Sequence, residues 1–206
     1  MIRIHKDAIM IPKAIEVDGQ VITLFDAAVH VPVAQQPTGL DPRWILCARP
    51  IVIVGGELTL DMVDLELDEK SGTYKAPIQM QANNGILVVD DFGRQAIRPS
   101  DLLNRWIIPL SRGIDFLKLA NGTKFTVPFE IKLVASTNLN PNSLGDDAFL
   151  RRLRNKVHVG SIKEDAFNWI LARVSQAKGL QVTAEGAERL RYQAEQHLGE
   201  LRPYLA

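Results

Sequence analysis

Two short runs of alternating apolar and polar positions between Lys13 and Phe25 flank Asp18-Gly19. Asp-Gly accepts the positive φ angles of a tight type I′ turn, so this pattern predicts a β-hairpin. From Val31 to Pro50 repeated prolines interrupt any period, and an irregular segment is expected. The β-branched run Ile51 to Val54 stops at Gly55-Gly56 and reads as a buried strand. Glu57 to Gln81 mixes helical spacing with the turn-forming Lys70-Ser71-Gly72-Thr73 and reads as an insertion without one definite element.

Ile86 to Val89 is continuously apolar and ends in Asp90-Asp91, the pattern of a strand covered on both faces. After Pro99, Leu102, Leu103, Trp106, Ile107 and Leu110 fall on one stripe at helical spacing, with Ser100 or Asp101 available to cap the start. Ile114 to Val127 alternates around Asn121-Gly122, a second hairpin signal, and Ile131 to Ala135 is another buried-strand run, leading into Ser136-Thr137-Asn138. A short helix is expected over Asp146 to Arg154. Longer helices come next, from about Lys163 to Ala177, with Phe167, Ile170, Leu171 and Val174 inward, and from about Thr183 to Leu198, with Gly179 and Gly199 as stops. Buried strands alternating with helices, followed by a helical tail, imply an α/β layer and then a small helical lid.

Composition narrows the function classes. The chain has 24 Lys and Arg against 24 Asp and Glu, so its formal net charge is zero and bulk attraction to nucleic acid is disfavoured. A single cysteine, Cys47, excludes an internal disulfide or a multi-cysteine zinc cluster and reads as a plain, at least partly buried thiol. His5, His30, His158 and His197 stand singly, without metal-ligand spacing, and read as structural or surface residues. No apolar run approaches the roughly 20 residues that span a bilayer, and the amino terminus lacks a secretory pattern, so a soluble, cytoplasmic protein is expected.

The chemistry concentrates in three polar clusters. GILVVDDFGRQ, Gly85 to Gln95, places two carboxylates at the end of a buried strand, where α/β proteins form their ligand crevice. VASTN, Val134 to Asn138, ends a second buried strand in polar groups, and DDAFLRRLRNKV, Asp146 to Val157, is a basic helix. Taken singly each has an ordinary reading: a strand that happens to end in Asp, a turn-forming cap, a solvated face.

In this order the clusters resemble the AAA+ ATPases, over roughly Gly85 to Ala206. The resemblance implies that Asp90-Asp91 are the Walker B pair, Asp90 holding Mg2+ and Asp91 polarising the attacking water. Asn138 would be sensor 1, orienting water and the terminal phosphate of ATP. Arg152, or Arg151 as second choice, would be the arginine finger that reaches a neighbouring subunit's site. Arg202, in Leu201-Arg202-Pro203, occupies the sensor 2 place. The Ile114 to Val127 hairpin and the insertion containing GGELTLDM resemble the branch of MoxR-type ATPases and sigma-54 activators, whose inserts face a ring pore and contact clients. The fold implied is α/β, a partial P-loop NTPase core with a mostly parallel sheet over residues 1–160, then an incomplete helical lid over 161–206.

One departure outweighs the others. No Gly-Lys-Ser or Gly-Lys-Thr occurs, so the loop that supplies backbone amides, a lysine and a Mg2+-binding hydroxyl to the phosphates is missing. In the family it precedes the region where this sequence starts, so Met1 to Pro12 would lie beyond the loop, its strand and its helix, and a truncated product is expected. That loss should expose an unpaired strand edge and part of an apolar sheet face. Asp91 also stands where many members have Glu. The resemblance therefore implies an ATP- and Mg2+-dependent remodelling ATPase, homo-oligomeric in a hexameric ring and acting on a protein client, of which this chain is an inactive fragment. The alternatives are a non-catalytic ring subunit lending an arginine finger to an intact partner, and a nucleic-acid factor using Arg151, Arg152, Arg154 and Lys156.

Overall fold

The structure is a computed structural model that describes residues 7–140, 155–160 and 163–198, with side chains as far as residue 194. The chain divides into two compact units, Met1–Arg154 and Asn155–Ala206.

At the centre of the first unit lies a three-stranded parallel sheet. Its strands are β5 (Ile51–Val54), β8 (Ile86–Val89) and β11 (Lys132–Ala135), in the order β11-β8-β5. The register aligns Val54, Val89 and Ala135 at the carboxyl end. Val52, Val54, Leu87 and Val89 face a core that includes Leu102, Leu103 and Trp106 of α2 (Pro99–Arg112), with Phe92 and Phe129. That face accounts for Leu87 and Val89, each such burial stabilising by roughly 1.5–3 kcal/mol, while Ile86 and Val88 alternate to the other face, where Ile86 is also buried and Val88 half-buried. β5 departs from the expected buried strand. Among the described residues it is an edge strand, and its Ile51 and Ile53, on the opposite face, are 48% and 65% exposed.

Gly85 introduces β8 against Pro50. A Cβ there would lie 2.1 Å from the Pro50 carbonyl oxygen, which also accepts the Ile86 N–H at 2.9 Å. Only glycine allows that approach.

The Asp18-Gly19 hairpin forms as expected. β2 (Ala14–Val17) pairs antiparallel with β3 (Gln20–Thr23), and Asp18 and Gly19 both have positive φ, 53° and 74°. The Glu57 to Gln81 stretch resolves into a 3-10 turn at Asp61–Val63, β6 (Glu66–Asp68), β7 (Thr73–Lys75) and the short helix α1 (Ile78–Gln81). β7 joins β3 in parallel, completing a four-stranded sheet β2-β3-β7-β6. The segment expected to be irregular contains β4 (Trp44–Ala48), paired antiparallel with β1 (Ala8–Pro12). Prolines on both sides of β4 hide its short run from a periodicity reading. Buried Cys47 lies within it, and burial pushes its thiol pKa up.

β9 (Ile114–Lys118) and β10 (Lys124–Pro128) form the second hairpin, with Gly122 at φ 95° in its loop. Its inner face, Leu117, Leu119 and Val127, packs on Ile22, Tyr74 and Met80. The two hairpin tips are joined where Asp18 Oδ2 accepts from Thr123 Oγ1 at 2.7 Å.

α2 begins differently from expectation. Arg98 takes the cap position and Pro99 the first turn, while Asp101 accepts from Arg98 Nε at 2.8 Å. Proline suits the first helical position because its fixed φ is already helical and its missing N–H would have had no partner within the helix. Beneath α2, fully buried Asp115 of β9 accepts from Arg105 Nη1 at 2.6 Å and Nη2 at 3.2 Å, from Gln79 Nε2 at 2.9 Å and from the Phe116 N–H at 2.8 Å. Burial works against the charge of Arg105, but the Asp115 hydrogen bond and the charges of Asp115 and Asp64 outweigh it, so its pKa is raised. His30 is likewise structural: Nδ1 accepts from the Asp26 N–H at 3.0 Å and Nε2 donates to the Gln81 carbonyl at 2.9 Å.

The second unit contains α3 (Glu164–Lys178), ended by Gly179 at φ 67°, and α4 (Ala184–Leu198). Phe167, Ile170 and Leu171 are half-buried, but Val174 is 51% exposed rather than inward. A cleft of about 600 Å³ lies between the two helices. Glu164 and Arg191 pair across them. The expected helix from Asp146 to Arg154 and the stop at Gly199 lie outside the described residues.

Candidate functional site

β8 and β11 are adjacent and parallel, so the segments leaving the two strands emerge at the same edge of the sheet. Asp90 and Asp91 come directly after β8, and Ser136, Thr137 and Asn138 directly after β11. Backbone hydrogen bonds lock the two ends: the Ser136 N–H donates to the Val89 carbonyl at 3.0 Å, and the Phe92 N–H to the Ser136 carbonyl at 2.7 Å. β5 contributes from the other side, its Val54 carbonyl accepting the Asp90 N–H at 2.8 Å.

The side chains converge on the same point. Ser136 Oγ donates to Asp90 Oδ1, and the Asp91 N–H lies 3.1 Å from Asp90 Oδ1 and 3.3 Å from Ser136 Oγ. Thr137 Oγ1 donates to the Phe92 carbonyl at 2.8 Å and accepts the Leu139 N–H at 3.1 Å, shaping the loop that carries Asn138. Asp90, Asp91 and Asn138 are all exposed to solvent. Asp91 sits in the left-handed region at φ 51°, a conformation that aspartate tolerates better than most residues.

The structure thus brings Asp90, Asp91 and Asn138 to one edge. Arg151, Arg152 and Arg202 lie outside the described residues, as does Arg154, while Lys156 is exposed. Three further residues at this edge were not singled out by sequence. Ser136 stood inside a recognised motif, but only the strand pairing reveals that its hydroxyl meets Asp90. Gln95, which closes the loop after β8, ended the run Gly85 to Gln95, but only the fold shows which carbonyls its amide meets. Glu57, beyond β5, accepts the Gly55 N–H at 2.9 Å, which holds its carboxyl pKa below the usual range.

A divalent cation of the Mg2+ type is usually held by one or two carboxylates, with water and phosphate oxygens completing the shell. Asp90 fits that role, with Oδ1 fixed by Ser136 and Oδ2 free of any partner among the described residues. Among the described residues no group of three or more His, Cys, Asp or Glu side chains could hold a metal without such help. None of the described helices is long and apolar enough to cross a membrane.

No protein-family model and no curated protein matches the sequence. Among solved structures it is similar to NtrX from Brucella abortus, with 16% identity and a TM-score of 0.48 over 68% of this chain and 35% of that one. NtrX in complex with ADP gives 15% identity and a TM-score of 0.47, covering 67% of this chain and 33% of that one. NtrX in complex with ATP gives 20% and 0.38, covering 50% and 24%. The chain therefore spans about a third or less of the length of those proteins.

Proposed function

We propose that this chain is part of an AAA+ ATPase of the MoxR-like or sigma-54-activator-like style, contributing the acidic and polar half of an ATP site. The observation that carries the reading is the parallel β8–β11 pairing, which sets Asp90 and Asp91 beside Ser136, Thr137 and Asn138. Asp90 would hold Mg2+, which when bound neutralises developing charge on the phosphates. Asp91 orients the attacking water and takes its proton, and Asn138 donates to that water or to the terminal phosphate. Arg152 or Arg151 would act on a neighbouring subunit's nucleotide, and Arg202 as sensor 2. A fixed arginine fork suits the charge spread over a transferring phosphoryl group.

The phosphate-cradling loop is not among these residues, so turnover requires that loop from elsewhere in the polypeptide or from another subunit. On this reading the 206-residue chain by itself binds ATP weakly and hydrolyses little. Residues 1–160 would form the core and 161–206 the lid, within a homo-oligomeric ring acting on a protein client in the cytoplasm.

The test is ATP hydrolysis by the assembly isolated from the native host that contains this chain together with the loop-bearing segment or subunit. Asp90→Ala and Asp91→Ala should each reduce turnover by about 10²-fold or more. Turnover indifferent to both sinks the proposal. The missing loop also supports a second reading, a non-catalytic ring subunit. In that case Arg152→Ala lowers turnover while Asp90→Ala and Asp91→Ala do not.

A further inference from the structure

The loop after β8 is closed around one carboxamide. Gln95 Nε2 donates to the Asp90 carbonyl at 2.7 Å and to the Asp91 carbonyl at 3.1 Å, while Gln95 Oε1 accepts the Gly93 N–H at 2.8 Å. Two consecutive carbonyls can converge on a single donor group only where the backbone between them turns sharply. Asp91 supplies that turn at φ 51°, and Gly93 a second one at φ 103°. The Arg94 N–H also donates to the Asp91 carbonyl, at 3.0 Å. The main chain of Asp91 is therefore held from its carbonyl side by Gln95 and Arg94, and from its amide side by Asp90 and Ser136.

From this geometry we infer that Gln95 is a positioning residue: its side chain fixes the left-handed backbone of Asp91 and thereby the direction in which the Asp91 carboxylate leaves the sheet edge. Asp90, whose carbonyl Gln95 also meets, is already fixed by the Val54 carbonyl and by Ser136, so the effect of Gln95 runs through Asp91. An extended Asp91 would project its carboxylate along a different Cα–Cβ direction. Left-handed backbone at a residue other than glycine is disfavoured and persists where its surroundings over-determine it. Gln95 supplies much of that determination. The assignment rests on the ATPase reading for its consequence and on the hydrogen bonds for its cause.

Gln95→Glu separates donation from shape. It keeps the length and an acceptor for Gly93, but sets a carboxylate against two carbonyl oxygens. Gln95→Ala removes both functions. In the isotope-labelled chain, backbone chemical shifts of Asp91 should lose their left-handed signature in both variants, while the fold around Trp106 stays intact. In the ATP-hydrolysing assembly, kcat should fall about 10- to 100-fold in both, with KM for ATP changed less than about twofold, as expected for a misplaced catalytic group. Asp91→Ala combined with Gln95→Ala should be no slower than Asp91→Ala alone, because a residue acting only through another adds nothing once that one is gone. Unchanged Asp91 shifts, full kcat in Gln95→Glu, or additive losses in the double variant each overturn the inference while leaving the ATPase reading standing. Turnover insensitive to Asp91→Ala overturns both.

Discussion

Asp115→Asn isolates the buried ion pair beneath α2. The substitution keeps the shape of the side chain and removes its charge. Asn could keep Oδ1 as the acceptor for Arg105 Nη1 and the Phe116 N–H, but its Nδ2 would then face two donors, Gln79 Nε2 and Arg105 Nη2. Turning the Gln79 amide does not rescue the contact, because Nε2 also donates to the Val63 carbonyl at 2.7 Å and an oxygen there would be repelled. Breaking one partner of a buried ion pair costs about 3–5 kcal/mol. Arg105 keeps some access to water, at 18% exposure, and retains Asp64 at 3.1 Å, so the lower end, about 3 kcal/mol, is expected. Taking a urea m-value of roughly 2 kcal/mol/M, the midpoint should drop by about 1.5 M. Trp106, one residue from Arg105 and 1% exposed, reports the transition once Trp44 and Trp169, both substantially exposed, are replaced by Phe. A midpoint shift below about 0.3 M, or one no larger than that of the exposed Arg98–Asp101 pair in Asp101→Asn, would refute the claim that this pair holds α2 to β9.

Gly85→Ala should lower stability by about 2 kcal/mol or more, since the new Cβ meets backbone rather than a side chain that can swing away; a loss under about 0.5 kcal/mol by urea unfolding would contradict it. The side-chain hydrogen bond from Arg43 holds the Asp41 carboxyl down at about 2, against an ordinary 3.8. A depressed folded pKa contributes stability that is present above the ordinary value and lost as pH falls through about 2. Asp41→Asn should therefore flatten the acid limb of midpoint against pH in that window, and an unchanged slope would count against the pairing. Cys47 should label with a thiol reagent only as fast as its strand opens, faster with added denaturant, whereas rapid labelling in native buffer would place it at the surface.

Elements with strong local chemistry were legible in the sequence. Asp18-Gly19 and the apolar run of β8 each carried a signal that tertiary context did not override, and Gly179 ended α3 in the left-handed cap its position suggested. β4 and β7 were not legible, because their stability comes from partners distant in sequence: Cys47 faces Ile9 and Thr73 to Lys75 need Ile22 and Thr23. The inward reading of Val174 failed for a related reason, as a helical period identifies a stripe without saying how wide a partner covers it. At the candidate site the acidic pair and Asn138 could be named from strand-end chemistry. The roles of Ser136 and Gln95 could not, because both depend on which backbone atoms the fold brings within about 3 Å of a side chain.

β11 is bonded on one side only among the described residues. Its Lys132 and Ser136 amides point to β8, so by alternation the amides of Leu133 and Ala135 are directed toward the opposite rim. Such a rim is a template with polarity. A guest segment zipped along it in the same direction would finish at the Asn138 end, whereas one running the other way would finish at the Lys132 end. Because this rim is unpaired among the described residues, the orientation of whatever lies against it decides at which end of β11 that segment's tip emerges.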